Sequence, residues 1–180
     1  RLIFIKRYGR SVALAYLAIC IVLGLAVSCV PRAGYMDRFE EFDLTAGNYE
    51  EVVKDADRTI KANPLDSEAH LNRATAYQKL GRYQDAIRDY TTVILLRPDV
   101  SKSYIGRGFS YTMLGNLKDA IKDYDTAALL DPGNAEIYMN RGSVLEQLGY
   151  LEQSTRDYIK SAVLGNKKAQ DILRSRGISW

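Results

Sequence analysis

The feature that most constrains this chain is an internal repeat with a fixed interval of thirty-four positions. Pro64, Pro98 and Pro132 are evenly spaced at that interval, and Gly47, Gly81, Gly115 and Gly149 keep the same spacing. So do Tyr90, Tyr124 and Tyr158, the small residues Ala74, Gly108 and Gly142, and the basic column Arg73, Arg107 and Arg141. Several columns in one register mean that a single supersecondary unit is copied along the chain, and that neighbouring copies must stack to bury their apolar faces. Each copy reads as two amphipathic helices, such as Ser67 to Leu80 and Tyr83 to Leu95, with apolar residues at three- and four-residue steps. The glycine between them supplies the left-handed conformation that ends a helix, and the proline stops the second helix.

Composition narrows the function. Four of the 25 Lys+Arg (Arg1, Lys6, Arg7 and Arg10) precede Cys29 in a segment without a single acid, so the rest sets 21 bases against 22 acids. A near-neutral body with mixed signs is not the electrostatic footprint of a nucleic-acid binder. Two cysteines and one histidine leave no Cys/His zinc site and no disulfide framework. There is no glycine-rich phosphate loop, no Ser/His/Asp set and no acidic metal cluster, so neither an enzyme nor a cofactor is expected. With 47% hydrophobic and 26% charged residues, the chain is expected to fold.

The N-terminal segment has a different character. Ser11 to Ser28 is almost wholly apolar and follows the basic cluster Lys6, Arg7 and Arg10, the layout of a signal peptide over residues 1–28. The apolar stretch also reaches the lower end of what a membrane-spanning helix needs, so a transmembrane anchor over 11–30 is the alternative. Either way the basic flank stays cytoplasmic and the body crosses. Leu25-Ala26-Val27-Ser28-Cys29 resembles the bacterial lipobox, with Ala26 where Leu is usual and Val27 where a smaller residue is commoner. That resemblance implies lipid attachment at Cys29, and a membrane-anchored protein of the bacterial cell envelope facing the periplasm. Val30, where an Asp would signal inner-membrane retention, favours the outer membrane.

The period and its columns resemble the tetratricopeptide repeat (TPR). In one copy Ala74, Tyr77, Gly81, Tyr83, Ala86, Tyr90 and Pro98 stand at signature positions; in the next, Gly108, Tyr111, Gly115, Ala120, Tyr124, Ala127 and Pro132. A third has Gly142, Gly149, Ser154, Tyr158 and Ser161, with Leu145 replacing the aromatic and Asn166 the proline. The resemblance implies an all-α helix-turn-helix solenoid of about three full repeats, 67–100, 101–134 and 135–168. A partial repeat precedes them at 45–66, and a capping helix and tail follow at 167–180. Residues 29–44 form a lipidated tether and a degenerate first helix, because Glu40 and Asp43 stand where a small residue and an aromatic belong.

The resemblance also implies a concave groove, lined by the first helix of each repeat, that holds a partner segment. Carried onto this chain, the groove positions are Leu71, Asn72, Thr75 and Gln78; Lys102, Ile105, Phe109, Thr112 and Met113; and Met139, Asn140, Ser143 and Gln147. Ile105, Phe109, Met113 and Met139 are expected to be exposed at its centre, marking an interaction site for other envelope proteins or peptides. Leu71, Ile105 and Met139 stand where a clamp for acidic peptide C-termini needs charge, so an apolar or amphipathic partner segment is expected. The groove is alternatively filled by a terminal segment or by a second copy, the latter making the protein a self-associating assembly factor of the secretion or pilus type. His70 is expected to be structural. Arg73, Arg107 and Arg141 are expected to pair with Asp89, Asp123 and Asp157 on the facing helices, an exposed pair of this kind being worth ~0–1 kcal/mol.

Overall fold

The computed structural model describes residues 33–180, with side chains from residue 48 onward. Residues 1–32 lie outside it, and with them the signal peptide, the anchor alternative and Cys29. Eight helices and no strand form among the described residues: α1 (Ala33–Ala62), α2 (Ser67–Lys79), α3 (Tyr83–Leu96), α4 (Ser101–Met113), α5 (Leu117–Leu130), α6 (Ala135–Gln147), α7 (Leu151–Val163) and α8 (Lys167–Ser175). None of them is long and apolar enough to cross a membrane. Thr45–Trp180 is one compact unit. Within it α2 pairs with α3, α4 with α5 and α6 with α7, and each second helix packs on the first helix of the next pair, α8 closing on α7. This is a TPR-type helical solenoid.

Local chemistry sets these boundaries. Asp66 accepts a hydrogen bond from the Ala69 N–H at 2.9 Å and Asn166 one from Ala169 at 3.0 Å, each satisfying an orphan donor at a helix start. Gly81, Gly115 and Gly149 adopt φ of 74°, 77° and 81°, where a side chain is strained, and end α2, α4 and α6. The turn expected at Gly47 is not made: α1 runs through it as one helix. The half-repeat anticipated over 45–66 falls on the C-terminal part of this helix.

The core repeats with the sequence. Ala86, Ala120 and Ser154 are fully buried where the two helices of a pair approach most closely. Tyr90, Tyr124 and Tyr158 are buried beside them and fill the space between copies. Tyr90 reaches the next first helix at Gly106, where a β-carbon would overlap its ring. At the C-terminal end, Ala169 and Leu173 of α8 pack on Met139, Tyr158 and Ala162.

An ion-pair ladder runs through the same copies. Arg73, Arg107 and Arg141 each donate two hydrogen bonds to Asp89, Asp123 and Asp157, at 2.7–2.8 Å. The remaining guanidinium nitrogen donates back to the preceding copy, to Asp57, Thr91 and Asp125. The partners are those expected, but the environment is not an exposed one, since the carboxylates are only 6%, 6% and 10% exposed. Each arginine's charge is held more firmly than usual, first through the hydrogen bond to its aspartate. His70 joins the first rung, its Nδ1 3.0 Å from Asp89 Oδ1 and its Nε2 3.1 Å from the Pro64 carbonyl. Buried with an oxygen at each ring nitrogen, it ties α2 to α3 and to the preceding turn.

Candidate functional site

The expected groove positions divide into two sets. Asn72, Thr75 and Lys102 line an open cleft of about 630 Å³ between α1 and α2. Thr75, Gln78, Lys102 and Ile105 line a second cleft of about 370 Å³ between α2 and α4, which Glu136 of α6 also borders. One surface therefore gathers five of the expected residues. Thr112, Met113, Asn140, Ser143 and Gln147 line neither cleft.

Two expected positions are not available to a partner. Leu71 is buried against Ala74, Ala86, Tyr90 and Val93, and Met139 is buried under α8 against Tyr158 and Leu173. Both pack in the same cluster as the tyrosine of their own copy's second helix, so the apolar side chain closes the core and does not face the groove. Ile105 is half-buried in the same way, packed against the core of its own copy. The exposed apolar surface expected of four residues comes down to two, Phe109 at 38% exposure and Met113 at 50%. They lie four residues apart on α4, one turn along the same face. Phe109 is braced edge-on by Tyr83, with centroids 6.3 Å apart, so the aromatic stands ordered in solvent.

The polar rim is partly committed to the fold. Gln78 Nε2 donates to the Gly106 carbonyl at 2.9 Å and to Ser110 Oγ at 3.1 Å, joining α2 to α4. Thr112 Oγ1 donates to the Gly108 carbonyl one turn back. Lys102 and Gln147 are exposed, and Lys102 makes no ion pair among the described residues. The expected positions thus offer an ordered apolar pair on α4, the exposed cation of Lys102 and side-chain amides, with the carboxylates of Asp55 and Glu136 at the two clefts. No group of three or more His, Cys, Asp or Glu that could hold a metal occurs among the described residues.

Gly106 and Glu136 are not among the positions the repeat assigns to this site. Gly106 is legible only in hindsight: it interrupts the asparagine column of Asn72 and Asn140, one repeat to either side, where the Tyr90 ring allows no side chain.

Known proteins are consistent with this geometry. Residues 67–100 match the family model for the tetratricopeptide repeat, and residues 108–149 match that of a TPR repeat. No curated protein matches the chain. Among solved structures, MamA superposes with a TM-score of 0.64 at 20% identity, over 76% of each chain. The first TPR of Spaghetti (RPAP3), bound to the HSP90 peptide SRMEEVD, covers 61% of this chain and 88% of its own at 26% identity, with a TM-score of 0.58. An Arabidopsis OM64 TPR domain covers 58% and 88% at 27% identity, with a TM-score of 0.56.

Proposed function

We propose that this protein is a non-catalytic adaptor that captures a segment of a partner protein on its concave surface. The observation that carries this reading is the braced, exposed pair Phe109 and Met113 on α4, the helix that also lends Lys102 and Ile105 to the clefts. An ordered apolar patch held in solvent is where binding energy concentrates. The similarity to a TPR domain with a bound peptide supports the same reading. Buried Leu71 and Met139 shift the expected apolar contact to α4, and an amphipathic partner segment fits best.

The N-terminal segment adds a location. A basic cluster, an apolar stretch and Cys29 support a lipid-anchored protein of the bacterial envelope that recruits other envelope proteins. The intact mass of protein extracted from bacterial membranes tests this part: residues 29–180 plus acyl groups support it, and an unmodified, uncleaved mass refutes it. The binding role is tested by recovering partners with wild-type protein and with Phe109→Ala/Met113→Ala. Both side chains are exposed, so the double variant should melt normally and lose the partner. Unchanged recovery would remove the groove from the account.

A further inference from the structure

The cleft between α1 and α2 has three internal counterparts, and each is filled by a helix. Val52, Asp55 and Ala56 of α1 stand one repeat before Ala86, Asp89 and Tyr90 of α3, and the register continues into α5 and α7. In those later copies the first helix of the pair covers this face. Ala86, Ala120 and Ser154 are fully buried, and Asp89, Asp123 and Asp157 are paired to the covering helix's arginine. On α1 the same face is only partly covered: Ala56 is buried, but Val52 is half-buried, and the Asp55 side chain is 60% exposed, paired among the described residues just with Arg58 on its own helix. Across the opening, Ala69, Asn72 and Ala76 of α2 form the opposite wall.

We infer that this cleft is a docking site for an amphipathic helix of a partner protein, one that carries an arginine for Asp55 and a small residue beside it. The molecule displays the required chemistry three times. The covering helices read Arg73-Ala74 with Tyr77, Arg107-Gly108 with Tyr111, and Arg141-Gly142 with Leu145. The arginine meets the aspartate, the small residue lets the backbones approach, and the larger residue one turn on closes the edge. In this chain the register positions before Asp55 and Val52 hold Phe39 and Glu40, which offer neither the cation nor the small residue. Charge complementarity and close approach therefore both favour a helix supplied in trans. The cleft shares Asn72, Thr75 and Lys102 with the proposed groove, so the inference deepens that reading, and charge changes at Asp55 test it apart from Phe109 and Met113.

The probe is a fluorescein-labelled synthetic peptide with the sequence of residues 66–80, titrated against the full-length protein in detergent and read by fluorescence anisotropy. Saturable binding is expected. An Arg73→Glu change in the peptide should weaken it at least tenfold, and Asp55→Lys in the protein should reverse that preference. Asp55 is exposed and, among the described residues, paired only with exposed Arg58, so its replacement leaves the fold intact, which a melting curve verifies. Absence of saturable binding, or affinity indifferent to both charge changes, overturns the inference. Binding that appears only when residues 33–46 are deleted assigns the cleft to the chain's own segment and also overturns it. Concentration-dependent self-association that Asp55→Lys abolishes, without peptide capture, assigns it to a second copy with the same consequence.

Discussion

Removing one carboxylate from the ion-pair ladder should damage the solenoid far more than removing a surface charge nearby. Asp123 is 4% exposed and accepts two hydrogen bonds from Arg107, at 2.8 and 2.7 Å. In Asp123→Ala the guanidinium, itself 18% exposed, keeps only Thr91 Oγ1 at 3.1 Å. A charge stranded in this way costs about 3–5 kcal/mol. At about 2–4 °C per kcal/mol for a unit of this size, the melting temperature should fall by roughly 6–20 °C. Asp119, four residues earlier on the same helix, is the internal control. It pairs with Lys122 at 2.9 Å, but the side chains are 52% and 75% exposed, so Asp119→Ala should cost only about 0–1 kcal/mol. Thermal and urea unfolding followed by circular dichroism at 222 nm compare the two directly. The Arg107→Leu/Asp123→Leu double variant should recover most of the loss, because the penalty belongs to the unpaired charge and not to the absence of the pair. If Asp123→Ala and Asp119→Ala prove equally mild, the ladder is not a buried structural element and the reasoning fails.

Two more outcomes follow from burial. Met139→Ala should lower stability by about 2–5 kcal/mol, as loss of a core side chain does, while Phe109→Ala leaves the melting curve nearly unchanged; the reverse order would put the groove on the wrong face. Burial, reinforced by the hydroxyl's hydrogen bond to Glu146, pushes the Tyr158 phenol up to about 12 from its ordinary 10.0. Its contribution is therefore complete below pH 10 and is lost as pH rises toward 12, where the unfolded chain releases the proton first. Tyr158→Phe should remove an ionisation step near pH 12 in the absorbance at 295 nm and flatten the alkaline decline. An unaltered titration would show that this phenol is solvated.

Much of the architecture was legible in the sequence because a repeat solenoid is fixed by local and nearest-neighbour contacts. The glycines that end α2, α4 and α6, the small residues at close helix approaches and the Arg–Asp partners all stand in columns, and the structure places each where its column predicts. What the columns conceal is burial, since a column gives a register position but not how closely the neighbouring helices cover it. Leu71 and Met139 share a column with Ile105, and all three pack in the clusters that hold their own copy's tyrosine. The first copy is the harder case. Gly47 stands in register with three helix-ending glycines, yet α1 continues through it, a difference that the glycine column alone does not reveal. Gly106 is illegible for the opposite reason: it breaks its column, and only the position of the Tyr90 ring explains why.

The central claim is that α4 presents the surface on which a partner is captured. The most direct measurement replaces Phe109 with the photoreactive p-benzoylphenylalanine in the full-length protein, irradiates cells that make it, and identifies adducts by mass spectrometry. Leu129, on α5 and 84% exposed, serves as the control for a side chain outside the groove. A discrete heavier adduct from Phe109, absent from Leu129 and lost when Met113→Ala is added, is the predicted result. Equal adducts from both positions, or none from Phe109, would contradict it.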